Sequence, residues 1–240
     1  MKCLIKANLD RAIYRKCLRA LFAFIPVVFA WSGVVQASTD KECLATWQEP
    51  AVTIEIVNAK PALEHGKSSD QIERVAKKSG YAKSTRHASL LGLTSSIISP
   101  KLGAATKYKL IAPGEYCLRL DRVTLSFGVR KTDIYIDRKY HKGTCAYKAI
   151  LDHELKHVRI NEQLIAEYVP KIKRELKERA AGIQPYHTKN PKRAGRSIAN
   201  RLLLELDPML EEFNVVRMQA NDVIDTQESY AATQAMCSDW

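Results

Sequence analysis

The longest helical pattern in this chain, residues 144–181, is apolar on two faces, and no other feature constrains the fold as much. Leu151, Leu155, Val158, Ile165, Val169, Ile172 and Leu176 form one stripe, while Ile150, Ile160, Leu164 and Tyr168 surround a second face. A helix apolar on both sides is buried or lines a cleft, because a surface helix keeps one side polar. Pro170 is expected to interrupt the run, since it removes a backbone donor and crowds the preceding turn.

The second face carries His153-Glu154-Leu155-Lys156-His157, an H-E-x-x-H sequence. Four residues turn a helix by about 400°, so both imidazoles emerge on one side, one turn apart, able to grip one ion. Glu154 is offset by about 100° and can approach a metal-bound water as general base without ligating the metal. Zinc held by imidazoles lowers the pKa of such a water to roughly 7 and polarises a carbonyl. Two histidines on a solvated face would be the bland alternative, but the apolar residues around them argue for a cleft.

Around this helix the chain reads as strands first and helices later. Residues 51–59 alternate Val52, Ile54 and Ile56 with polar neighbours, which is a strand. Ser68 and Ser69 cap a short helix stopped by Gly80. Residues 81–105 read as loops with one short strand near Leu90–Leu93. Residues 108–112 and 116–129 are β-rich, and 133–140 alternate again. The intervening VRKTD reads as a hairpin turn, which makes DIYIDRKY an edge strand beside the cleft. A second long helix covers 194–222. The expected fold is α+β, with N-terminal antiparallel strands and a hairpin followed by long helices.

The first 37 residues stand apart. Lys2, Lys6, Arg11, Arg15, Lys16 and Arg19 precede the 12-residue apolar run Ala20–Trp31, and Val35-Gln36-Ala37 offers a cleavage site before Ser38. That is the layout of a secretory signal peptide, and the run is shorter than the roughly 20 residues of a membrane span. An exported, periplasmic or secreted protein with no stable membrane anchor is expected. The formal charge is +12, but residues 1–37 hold six of the 38 bases and one of the 26 acids. The remainder carries 32 bases against 25 acids, a net +7. That charge favours anionic surfaces such as cell-envelope material. The bases are scattered and form no nucleic-acid module, so no nucleic-acid partner is expected. With 46% hydrophobic residues, a disordered or collagen-like chain is excluded.

Cys43, Cys117, Cys145 and Cys237 remain after cleavage, and an even count in an exported chain reads as two disulfides. No C-x-x-C is present, which argues against a thiolate zinc site. A hairpin centred near Lys131 would set Cys117 opposite Cys145, leaving Cys43 to pair with Cys237.

The run CAYKAILDHELKHVRINEQ, following YCLRLDRVTLSFGVRKTDIYID, resembles the bacterial family of predicted secreted zinc-dependent proteases, of the zincin class. The resemblance covers roughly 85–240, including the terminal NDVIDTQESYAATQAMCSDW, while 38–84 is an N-terminal segment without affiliation. It implies a zincin-like fold for 85–240, one catalytic zinc ion, His153 and His157 as ligands, and Glu154 as base. The substrate would be a peptide or protein. The metzincin extension is absent, because Ile160 and Gln163 occupy its glycine and histidine positions. A third ligand must come from elsewhere. Glu162 lies on the opposite helix face, and Glu175 and Glu178 belong to a charged, solvated run. Glu228 is the preferred third ligand and Asp225 the next, both beside Tyr230, which could polarise a substrate carbonyl or simply pack. His141 and His187 are held in reserve. The alternatives are a non-enzymatic envelope protein with a structural or absent metal site, and a hydrolase of non-peptide amides.

Overall fold

The computed structural model describes residues 41–80, 90–238 and 240. The expected signal peptide and its cleavage site lie outside these residues. The strands are β1 (Ala51–Asn58), β2 (Ala62–Glu64), β3 (Gly92–Ile98), β4 (Lys101–Ala112), β5 (Glu115–Ile136) and β6 (Tyr186–Thr188). The helices are α1 (Ser69–Lys78), α2 (Cys145–Ala181), α3 (Pro191–Asp222) and α4 (Gln227–Gln234).

Everything in the sheet is organised by β5. Along one side of it run β3 and β4, both antiparallel, with Gly92 opposite Ile136 and Leu110 opposite Tyr116. Along the other side lie β1 and β2, both parallel, and then β6, antiparallel. Helices cover both faces. On one face Leu118, Leu120, Val123, Leu125, Phe127 and Val129 of β5 pack against Ile172 and Leu176 of α2 and Leu202, Leu206 and Phe213 of α3. On the other face Ile72 and Ala76 of α1 meet Leu93 and Tyr135.

This α/β arrangement corrects the α+β expectation. The strands do not form an N-terminal antiparallel unit with a hairpin ahead of the helices; a parallel path, β1-β5-β2, runs through the six-stranded sheet. The supposed VRKTD turn is the interior of β5. Its signal was a phase slip: besides Cys117 and Gly128, buried residues fall at 118 and 120, then 123, 125, 127 and 129, then 132, 134 and 136. The register skips Asp121 and Arg130, so two bulges each insert one residue and flip the alternation. A parity change reads like a turn when only the alternation is followed. The actual hairpin joins β4 to β5 through Gly114, which adopts a positive φ of 76°. Residues 133–135 are therefore central, flanked by β2 and β3, and do not offer a free edge.

Some other elements form where the sequence places them and some do not. Strand β1 forms as expected, with Val52 and Ile54 turned inward but Ile56 exposed, and α1 starts at the Ser68 cap, whose N–H donates to Gln71 Oε1 at 2.9 Å. Thr144 caps α2 by accepting from the Tyr147 N–H at 3.2 Å. Pro170 does not end α2: Ile172 and Leu176, fully buried beyond it, hold the helix on the sheet. The stretch 92–105, expected to be mostly loop, is β3 and the start of β4. Residues 51–58 and 62–64 are built into the sheet as β1 and β2.

The disulfides are Cys43–Cys117 and Cys145–Cys237, not the expected Cys117–Cys145 and Cys43–Cys237. The cause is again β5, which keeps Cys117 near its start and the α2 start beyond its far end. Two disulfides, with no helix among the described residues long and apolar enough to cross a membrane, are compatible with a secreted or periplasmic protein.

Candidate metal centre

The inner face of β3 presents small side chains in alternation, Gly92, Thr94 and Ser96, and α2 lies directly on them. A Cβ on Gly92 would stand 2.6 Å from Glu154 Oε1 and 2.8 Å from Ile150 Cγ2, so this close approach requires glycine. Thr94 Oγ1 donates toward Glu154 Oε2 at 2.8 Å and toward the Glu154 backbone oxygen at 3.0 Å. Asn161 Nδ2 donates to Ser96 Oγ at 3.3 Å. The helix is thus fixed in depth and rotation by the strand beneath it.

His153, Glu154 and His157 are all buried. The two imidazole centroids are 5.2 Å apart, as the one-turn spacing requires. Beyond the end of α3, Asp225 closes the group: its Oδ1 lies 3.1 Å from His153 Nε2 and 3.2 Å from His157 Nε2. Tyr230 donates to the same oxygen at 3.2 Å, and its ring lies 5.1 Å from that of His153. The Cys145–Cys237 bridge ties the segment following α4 to the first residue of α2, and so confines Asp225 and Tyr230 between two anchored ends.

One ligand atom from each of His153, His157 and Asp225 lies within 4.8 Å of the others, so the group could hold a metal ion. Two imidazole nitrogens and one carboxylate oxygen are a donor set that divalent transition metals accept. His153 Nδ1 is buried without a partner, so the polar reach of that ring is directed through Nε2 at Asp225. The Asp225 side chain is 31% exposed, which leaves the group open to solvent on that side.

The electrostatics follow from this packing. Burial pushes the Glu154 carboxyl above its ordinary range, with the His157 and His153 charges and the Thr94 hydrogen bond opposing it. Burial would lower His157, but the Asp225 hydrogen bond and the Glu154 and Asp225 charges outweigh it and raise the group to about 9. Asp225 moves the other way: burial raises it, and the hydrogen bonds from both histidines hold it well below the usual carboxylate range. Burial and the neighbouring carboxylates push Tyr230 far up, keeping its hydroxyl protonated.

Of the expected site residues, His153, Glu154 and His157 come together as the spacing requires. The carboxylate beside them is Asp225, the second choice; Glu228, the first, is an exposed residue in the first turn of α4 and lies outside the group. Glu162 accepts instead from Asn58 at 3.0 Å, and Glu175 pairs with Arg179. His141 is exposed before α2, and His187 sits in β6 opposite Cys117. Thr94 and Asn221 carry no direct signal in the sequence, since neither belongs to a chemical motif. Asn221 stands four residues before Asp225, a helical spacing that could have linked them.

No family model, no curated protein and no solved structure matches this chain.

Proposed function

We propose that the protein is a metal-dependent hydrolase built on the H-E-x-x-H helix. More specifically, we read it as an exported zinc metallopeptidase that cleaves peptide bonds of a protein or envelope-associated substrate. The observation that carries this reading is the convergence of His153 Nε2 and His157 Nε2 on Asp225, with Glu154 buried on the same helix.

Zinc at this position would supply an activated water and a polarised carbonyl. His153, His157 and Asp225 would hold it. Glu154 would accept a proton from the attacking water and return it to the leaving amine, the role of a general base that becomes a general acid. Thr94 fixes one of its carboxylate oxygens, and burial raises its proton affinity, both of which suit that task. Tyr230 orients Asp225 through its hydroxyl. The partial exposure of Asp225 supports a reactive site over a closed structural one, which would take a fourth protein ligand.

The test is metal content and peptidase activity of purified protein. Glu154→Gln is expected to abolish hydrolysis while keeping about one zinc per chain, because Glu154 is base and not ligand. His153→Ala and His157→Ala are expected to lose the metal. Unchanged zinc in both histidine variants would end this reading.

A further inference from the structure

We infer that Asn221 is a positioning residue for His157, selecting which of its two ring nitrogens faces the metal. This rests on the metal-centre reading above.

The argument begins with the amide. Asn221 Nδ2 donates to the Arg217 backbone oxygen at 2.7 Å, one turn earlier on α3, and this contact fixes which way the amide faces. Its Oδ1 is thereby turned toward His157 Nδ1, 2.7 Å away. An amide oxygen can only accept, so His157 Nδ1 must carry the proton. In the neutral ring the lone pair is then on Nε2, the atom that lies 3.2 Å from Asp225 Oδ1. A metal-ligating imidazole needs this: one nitrogen free for the ion and the other held by an acceptor that sets ring rotation and tautomer.

His153 has no such support. Its Nδ1 is buried with no hydrogen-bond partner, and its ring is set by packing against Tyr230 and His157. The two histidines of the motif are therefore unequal, and the tautomer control falls on His157. Asn221 and Asp225 are four residues apart, so the last turn of α3 and the turn after it deliver both the orienting acceptor and the carboxylate. The site reads as H-E-x-x-H followed by N-x-x-x-D, with α3 as much a part of it as α2.

The inference is tested by zinc affinity, measured in competition with a chromophoric chelator, and by ¹⁵N NMR of the imidazoles. In zinc-loaded wild-type protein, His157 is expected to show a protonated Nδ1 and a metal-bound Nε2. The opposite tautomer would overturn the assignment without need of any variant. Asn221→Leu is expected to bind zinc about ten- to a hundredfold more weakly. Asn221→Asp, which keeps an acceptor for Nδ1, should recover most of that loss. Equal affinity of wild type and Asn221→Leu would overturn the role of Asn221 alone. A wild-type protein that takes up no zinc would sink the metal-centre reading itself, and this inference with it.

Discussion

Thr94 Oγ1 lies 2.8 Å from Glu154 Oε2, and the same hydroxyl lies 3.0 Å from the Glu154 backbone oxygen, so one strand residue holds both the carboxylate and the helix that bears it. The partner residues are both buried. Thr94→Val keeps the shape and deletes the hydroxyl. Losing a hydrogen bond to a buried carboxylate costs about 1–3 kcal/mol. The variant should unfold at lower denaturant concentration by that amount, hydrolyse more slowly, and retain its zinc. Unaltered stability and activity together would show that the contact is incidental.

Gly92→Ala tests the closeness of β3 and α2. The added methyl carbon would meet Glu154 Oε1 and Ile150, and both belong to a tightly seated helix. Overpacking of this kind costs roughly 1–3 kcal/mol. The expected result is lower stability together with a displaced Glu154, read as a fall in kcat with zinc content preserved.

Asp225→Asn and Glu228→Gln separate the two carboxylates that the sequence offered for one role. On the proposed function, removal of the Asp225 charge should lower zinc affinity by at least an order of magnitude, because one of the three donors is lost. Glu228→Gln should leave it unchanged, since that side chain is exposed at the start of α4. Competition with a chelator measures both.

The metal-free protein should have a pH-dependent stability set by the same cluster. His157 is raised from its ordinary 6.5 to about 9 in the folded state, so folding favours its protonated form. That contribution is complete below about 6.5 and is lost as pH rises through about 9. Asp225 is held below its ordinary 3.8, so its contribution is present above that value and fades on acidification. Chelator-treated protein should therefore be less stable at pH 9.5 than at pH 6, and His157→Gln should flatten that alkaline slope. A slope unaltered by the substitution would assign it to other groups.

The two disulfides should differ in what they protect. Cys43 and Cys117 are buried, and their bridge ties the segment before β1 to the start of β5. Cys145 is exposed, and its bridge to Cys237 spans the segment that carries Asp225 and Tyr230. Replacing Cys145 and Cys237 by serine should weaken zinc binding markedly. The same change at Cys43 and Cys117 should lower stability by about 2–5 kcal/mol and leave the zinc affinity of the folded protein intact.

The H-E-x-x-H half of the site was legible because helical spacing alone fixes it: four residues bring two imidazoles together whatever the rest of the chain does. The carboxylate was not, because Asp225 and Glu228 are separated by a helix start that the sequence around TQES does not locate. Asp225 lies in the turn before Thr226, whose hydroxyl caps α4 by accepting from the Ser229 N–H, and Glu228 is carried round to the exposed side. The sequence signal and the fold part at one strand. The bulge in β5 at Arg130 made a single 22-residue strand read as two, and the false turn over residues 129–133 then imposed the wrong cysteine pairing and the wrong sheet. A local rule that depends on unbroken alternation fails where tertiary packing tolerates an inserted residue.

Every strand pairing among the described residues involves β5, and no two of the other strands pair with each other. The order in which the chain can acquire structure follows from this. A growing polypeptide that ends before residue 115 has four strand segments and no partner for any of them, and the first ladder waits until β5 exists. Strand β1 must then find a mate some 70 residues downstream, since Ala51 is registered with Arg122. Contacts of such long sequence separation fold slowly, because loop closure has to precede any reward. Strands β1 to β4 should thus stay unpaired until β5 has been made, so nearly half the chain is synthesised before any part of the sheet can close.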